Sequence, residues 1–249
     1  MARLHPLLAL ALGLATAGVA SAGTPSSPGC KGTLYLSFDT GNMRDAELIA
    51  DTLARHGVKA TFFLAQEKTT RGDSALDASW APYWRARVAE GHAFGSHTWR
   101  HGSFRADSGK LVRYRLQDGS SETLDAAAVC AELQRPDTRF QELTGRRLDP
   151  LWRAPGGRTT PNTLAAAQAC GYRHVGWATA GFLGDELPSE THPNPMLLQR
   201  ALERLRDGDI VMAHLGIWSR KDPFAPMFEP LIAGLKAKGF CFATRRGQT

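Results

Sequence analysis

The sequence predicts an α/β fold in which parallel strands curl into a closed or nearly closed barrel with the helices outside. Two observations carry that expectation. A unit of helical stretch, glycine and short apolar strand recurs along the chain, and reactive side chains follow at least four of the strands. In a barrel of βα units the C-terminal strand ends converge on one face, where sites are built. An open doubly wound sheet would confine such groups to a single crevice, so groups drawn from four strands favour the barrel.

The elements follow in order. Leu34-Tyr35-Leu36 reads as the first strand, with Asp39 just beyond it. Arg55-His56-Gly57 precedes Thr61-Phe62-Phe63-Leu64, and Ala89-Glu90-Gly91 precedes His92-Ala93-Phe94. Leu151-Trp152 is a further apolar strand, followed by Arg153. Ala169-Cys170-Gly171 then precedes His174-Val175-Gly176-Trp177, and Arg206-Asp207-Gly208 precedes Ile210-Val211-Met212. Ala237-Lys238-Gly239 before Phe240-Cys241-Phe242 closes the series. A glycine just past a helix takes the left-handed conformation that ends it, so each copy reads as a helix-to-strand connection. Helices alternating with apolar strands imply a mostly parallel sheet covered by helices.

Two stretches break this rhythm. In residues 102–122, Lys110-Leu111-Val112-Arg113-Tyr114-Arg115-Leu116 alternates apolar and basic side chains and Asp118-Gly119 marks a turn. That pattern reads either as a hairpin or flap beside His97 and His101, or as a surface excursion without a role. Residues 181–195, with Pro188, Pro193 and Pro195, form a second long loop at the same face. No internal domain boundary is visible.

The N-terminus reads as an export signal: Arg3 is the only charged residue before the apolar run Leu7 to Ala17, and Ala20-Ser21-Ala22 is a small-residue cleavage site. An uncleaved anchor is the competing reading, although the run is too short and Ala-rich for a stable span. Residues 1–22 are thus assigned to a signal peptide and 23–249 to one domain, exported to the periplasm or beyond. No stable membrane span is expected after cleavage. The whole chain carries 30 Lys and Arg against 24 Asp and Glu, scattered without a basic tract, so nucleic-acid binding is not indicated. All four cysteines lie after the cleavage site. In an oxidising compartment an even count suggests two disulfides. Cys30–Cys241 with Cys130–Cys170 is preferred, because Cys30 precedes the first strand and Cys241 sits in the last. The other two connectivities and free thiols stay open.

Asp39 precedes Thr40-Gly41, where a carboxylate often merely caps the next helix. His97 and His101 lie four apart, so on one helical turn both imidazoles would point the same way and could share a metal. Such a pair arises readily by chance among eight histidines. No Glu follows His97, so any base must come from elsewhere. Arg153, emerging from an apolar strand before Pro155-Gly156-Gly157, calls for a carboxylate partner, and Asp39 is the candidate. His214, after Ile210-Val211-Met212-Ala213, is either reactive or a satisfied core histidine. There is no Gly-x-Ser-x-Gly elbow, no Walker loop and no dinucleotide fingerprint. A glycosidase pairing Asp39 with Asp185 or Glu186 is conceivable but leaves the histidine pair unused.

Taken together and in this order, these residues resemble the NodB-type polysaccharide deacetylases, carbohydrate esterase family 4, over about residues 30 to 244. That family's fold is an incomplete or distorted β/α barrel. Its first motif, Thr-Phe-Asp-Asp, is matched by Ser37-Phe38-Asp39-Thr40, and its histidine pair by His97 and His101. Arg153-Ala154-Pro155-Gly156-Gly157 matches its Arg-x-Pro-x-Gly, and Met212-Ala213-His214 its Leu-x-His. The resemblance implies Asp39 as base, Arg153 as the residue orienting it, and His214 as general acid. It implies His97 and His101 as ligands of a divalent metal, zinc or a close substitute, and Met212 as a pocket residue for the acetyl methyl group. The implied substrate is an N-acetylated glycan, such as peptidoglycan, a chitin-like polymer or an exopolysaccharide, deacetylated with release of acetate.

Two positions depart from the family. Thr40 replaces the aspartate that supplies the third metal ligand, so that ligand is unidentified. The fourth motif, Asp-x-x-Asp-Trp, is absent from Trp177 to Asp185, which leaves Asp185 as a nearby candidate for tuning His214. The alternative these departures motivate is a catalytically inactive NodB-like carbohydrate-binding protein.

Overall fold

The computed structural model describes residue 1 and residues 29–246. The expected signal peptide over residues 1–22 lies outside the described stretch. Among the described residues no helix is long and apolar enough to cross a membrane.

The main sheet has seven strands: β1 (Gly32–Asp39), β2 (Thr61–Leu64), β3 (Ala93–Ser96), β7 (Leu151–Trp152), β8 (Arg173–His174), β9 (Ile210–His214) and β10 (Phe240–Phe242). Its strands run in the order β10-β1-β2-β3-β7-β8, with β9 also on β1, and every pairing is parallel. Helices connect them: α1 (Ala46–Arg55), α2 (Ala81–Ala89), α3 (Ala126–Thr144), α4 (Pro161–Ala169), α5 (Asn194–Arg204) and α6 (Phe228–Ala237). The punctuating glycines read from the sequence have positive φ, for example 86° at Gly91 and 91° at Gly239.

The ring stays incomplete. Between β8 and β9 no strand pair forms; the gap is bridged by Ala178 N to Ile210 O, Met212 N to Gly181 O and one isolated bridge, Phe182 to Met212. The strand expected over residues 174–177 ends at His174, because the carbonyls of Val175 and Gly176 turn inward to accept from the Arg153 guanidinium.

The period-2 alternation of each strand separates two environments. Phe38, Phe62 and Phe94 are register partners on adjacent strands, stacked at centroid distances of 5.7 and 5.8 Å. They share one buried cluster with Ile49 and Leu53 of α1, Trp84 of α2 and Phe140 of α3. Fully burying each such ring contributes roughly 1.5–3 kcal/mol. The alternate residues, Ser37, Asp39 and Phe63, are equally buried but meet Arg153 instead. Gly95 makes room there, since a Cβ would come 2.7 Å from the Phe63 ring. Phe63, Leu151 and Val175 form a small separate apolar cluster beneath the polar groups.

A second, antiparallel sheet of β4 (Ser103–Ser108), β5 (Leu111–Arg115) and β6 (Ser121–Leu124) fills the stretch that breaks the sequence rhythm. Its buried face, Phe104, Val112, Tyr114 and Leu124, packs with Trp152 and with Val129 and Leu133 of α3. Both preferred disulfides are present, Cys30–Cys241 and Cys130–Cys170. The first ties the entry of β1 to β10; the second ties α3 to the end of α4.

Candidate functional site

Asp39, His97, Arg153 and His214 sit at or just past the C-terminal ends of β1, β3, β7 and β9. Register brings them together: Asp39 pairs with His214 across β1 and β9, and Arg153 N donates to Ser96 O beside β3. Beyond Asp39 the chain turns at once. Gly41 has φ 55°, and a Cβ there would lie 2.1 Å from Gly216 O, so only glycine lets this turn pass under the loop after His214.

Asp39 is an ion-pair partner, not a helix cap. Arg153 Nη1 donates to its Oδ1 at 2.9 Å, and both side chains are buried. Arg153 Nη2 donates to Ser37 Oγ at 2.8 Å, and the guanidinium lies 4.1 Å over the Phe63 ring. Ser37 Oγ in turn donates to Val211 O, a contact the sequence did not reveal. Burial pushes the Asp39 carboxyl up, but His97, Arg153 and His214 together pull it below the ordinary carboxylate range. Of these, Arg153 carries the permanent charge.

The histidine pair converges, though not by the expected helical turn. Residues 97–102 form a loop in which Thr98 and His101 have φ of 64° and 51°. Left-handed backbone at non-glycine residues costs of order 1 kcal/mol or more, so surrounding contacts must impose it. Here Glu132 of α3, which is buried, accepts from Arg100 N at 3.0 Å and from Arg100 Nε at 2.6 Å. Tyr114 of β5 donates to Glu132, and its hydroxyl accepts from Gly102 N. The outcome is a pair of imidazoles with Nε2 atoms 3.2 Å apart.

His97 Nδ1 lies 2.9 Å from Arg153 O. A carbonyl only accepts, so Nδ1 carries the proton and Nε2 keeps its lone pair free. Burial lowers the His97 pKa to about 4, so the ring is neutral at pH 7, as a metal ligand must be. Two nitrogens bound tetrahedrally to one zinc at about 2.05 Å stand roughly 3.3 Å apart, close to the spacing of this pair. His97 Nε2 also lies 3.5 Å from Asp39 Oδ2. Among the described residues, no three His, Cys, Asp or Glu side chains already stand together as a full ligand set. The two histidines therefore fit a divalent ion as a pair.

His214 is held by Asp185, the carboxylate that the sequence offered as a nearby candidate for tuning it. Asp185 Oδ2 accepts from His214 N at 2.7 Å, and both its oxygens lie 3.2 Å from Nδ1. Nδ1–H therefore points to Asp185, and Nε2 faces the site, 3.6 Å from Glu186. Burial lowers the His214 pKa, but Asp185, Asp39 and Glu186 outweigh it and raise it to about 9. Asp185 is thereby committed to His214, which removes it from any glycosidase-type carboxylate pair. Met212, two residues earlier on β9 and 2 % exposed, lies on the same side of the strand.

One residue went unseen in the sequence. Glu67 follows β2 and is 12 % exposed at its side chain, with Oε1 3.5 Å from His101 Nδ1. Its Oε2 accepts from Thr40 Oγ1 at 2.6 Å and from Gly41 N at 2.9 Å. Burial raises its pKa, but His101, Thr40, His97 and His214 together lower it. The strand-end rule that found the other groups would have found this one, since Glu67 lies three residues past an apolar strand.

The antiparallel sheet reaches the site through Gln117, whose side chain lies 2.6 Å from His101 Nδ1. On its exposed side Arg105, Arg113, Arg115 and Arg158 line a concavity of about 390 Å³.

A family model for polysaccharide deacetylase matches residues 26–175. The chain is similar to a chitooligosaccharide deacetylase of Azorhizobium caulinodans, 24 % identical over 219 residues that cover 84 % of this chain and 90 % of that protein. Among solved structures it resembles a family 4 acetyl xylan esterase of Clostridium thermocellum in complex with a cobalt ion. The TM-score is 0.66 at 21 % identity, covering 85 % of this chain and 87 % of that one. A family 4 pseudoenzyme of Bacillus anthracis gives a TM-score of 0.64 at 18 % identity, covering 86 % of this chain and 64 % of that one. At these identities the two structural likenesses speak to the fold, while the family match spans more than half the chain. The chain belongs to the polysaccharide deacetylase family.

Proposed function

We propose that the protein is an exported, metal-dependent deacetylase that hydrolyses the N-acetyl amide of an N-acetylated glycan. The observation that carries the proposal is the buried Arg153–Asp39 pair facing the neutral His97, with a cationic His214 aimed into the same space. His97 and His101 would hold the ion. A bound divalent ion supplies Lewis-acid polarisation of the acetyl carbonyl and an acidified water.

The chain's own groups do the rest. Arg153 keeps Asp39 ionised and aimed, so Asp39 accepts the proton of the water whose oxygen attacks the carbonyl carbon. The carbon–nitrogen bond then breaks, and His214, protonated at neutral pH, gives its Nε2 proton to the departing amine. Acetate and a free amino sugar are the products. Asp185 fixes the tautomer and orientation that this transfer needs, the task expected of the missing fourth motif. Met212 would face the acetyl methyl group.

The glycan substrate is supported by the family and by the chitooligosaccharide deacetylase relative. Export is supported by the two disulfides, which persist in oxidising compartments. Thr40 favours a second reading, a silent glycan-binding protein, since it removes the family's third ligand. Acetate release from chito-oligosaccharides and peptidoglycan, measured on metal-loaded protein beside Asp39→Asn, decides between them. Release that disappears in the variant establishes the enzyme; tight glycan binding without metal or release establishes the binder.

A further inference from the structure

We infer that Glu67 supplies the anionic metal ligand that Thr40 cannot, so the third ligand has moved from the β1 end to the loop after β2. The inference rests on the metal-dependent reading above and concerns how this chain completes the site.

Three observations converge on Glu67. Its loop is built into the histidine turn: His97 N donates to Leu64 O at 2.8 Å, and Gln66 N donates to Trp99 O at 3.0 Å. The side chain then lies between Thr40 and His101, the two positions whose family counterparts would both bind the ion.

The two carboxylate oxygens have different surroundings. Oε2 is saturated by the Thr40 hydroxyl and the Gly41 amide. Oε1 receives neither of those bonds and faces the His101 ring. A carboxylate that binds an ion through one oxygen is commonly held by hydrogen bonds on the other. Thr40 thereby becomes a positioning residue. Its hydroxyl donates to Glu67, and it accepts from Ala65 N at 3.3 Å.

Charge points the same way. Among the described residues, no lysine or arginine forms an ion pair with Glu67; the one basic side chain within 4 Å of its carboxylate is His101. A carboxylate this buried is costly without a cation. If His101 is neutral and binds the ion, as the reading above requires, the ion itself is the positive charge that Glu67 faces. Two neutral imidazoles and one carboxylate give the two-nitrogen, one-oxygen set common at catalytic zinc sites. Oε1 now lies 3.5 Å from Nδ1, while the two Nε2 atoms face each other at 3.2 Å, so the Glu67 side chain must move for Oε1 to join an ion held by both Nε2 atoms.

The test is zinc and cobalt titration of the full exported chain, with the cobalt absorption spectrum as a readout independent of activity. Four proteins are compared: wild type, Glu67→Gln, the exchange Thr40→Asp with Glu67→Gln, and His97→Ala. Glutamine keeps the volume and can still accept from Thr40 and Gly41. Removing a true ligand should weaken binding by more than the roughly 10–100-fold typical of an outer-shell partner. The expected result is a loss of more than ~100-fold in Glu67→Gln with an altered cobalt spectrum, largely restored by the exchange. Binding by Glu67→Gln within ~100-fold of wild type and an unchanged spectrum overturns the inference. Zinc bound equally by wild type and His97→Ala, or by neither, overturns the metal-dependent reading instead. Circular dichroism checks folding, and the exchange variant keeps the test decisive should Glu67→Gln fold poorly.

Discussion

Replacing Arg153 with methionine should destabilise the protein more than any single change at the surface, and by an amount that depends on pH. Arg153 is wholly buried and Asp39 is 3 % exposed, so Arg153→Met leaves a carboxylate sealed from water with no permanent positive charge beside it. Breaking a buried pair in this way costs about 3–5 kcal/mol. For a domain of this size each kcal/mol moves Tm by about 2–4 °C, so the midpoint should fall by roughly 6–20 °C.

The pH dependence follows from Asp39. In the wild type its folded pKa is lowered, so its contribution is present above the unfolded value near 3.8 and lost as pH falls through the folded value. In the variant only His97 and His214 oppose burial, so the folded pKa rises from its wild-type position and the stability that ionised Asp39 contributes shrinks. The difference between the two proteins should therefore be small below about pH 4 and grow toward neutrality. Thermal denaturation by circular dichroism at pH 4 and pH 8 reads this directly. The double variant Asp39→Asn with Arg153→Met should recover much of the loss, because it removes the stranded charge. A penalty under about 1 kcal/mol, the same at both pH values, would refute the reasoning.

Other outcomes follow from the same contacts. Deacetylation should decline as pH rises through about 9, where His214 loses its proton, and Asp185→Asn should move that limb downward in a pH–rate profile. The raised His214 pKa also stabilises the fold fully below about 6.5, a contribution lost as pH climbs toward 9; His214→Gln should flatten that part of the stability curve. Reducing the two disulfides, which close loops of 211 and 40 residues, should cost about 4–5 kcal/mol each in the chain-entropy account. A reductant that shifts Tm by under about 3 °C would contradict it.

Much of this architecture could be read from the chain because its signals are local. Glycine after each helix marks the αβ connections, and a charged group just past an apolar strand marks the reactive face. Asp39 with Arg153 was also within reach, since an arginine leaving an apolar strand needs a carboxylate. The geometry of His97 and His101 was not. Their convergence depends on left-handed backbone at Thr98 and His101, imposed by Glu132 and Tyr114 from elements that no spacing rule connects to the motif. Asp185 was visible only as a nearby candidate for tuning His214, because its loop has no periodicity to orient it. Glu67 escaped for a different reason. It belongs to no recognised motif; the strand-end rule marks it, but its place beside Thr40 and His101 follows from β2 lying between β1 and β3.

The central claim is that these side chains gather around a single cation. Crystals soaked in zinc and measured at the zinc absorption edge test it most directly. The account predicts one dominant anomalous peak within bonding distance of Nε2 of both His97 and His101, beside Asp39. No peak there, or a peak bound by neither imidazole, would contradict it.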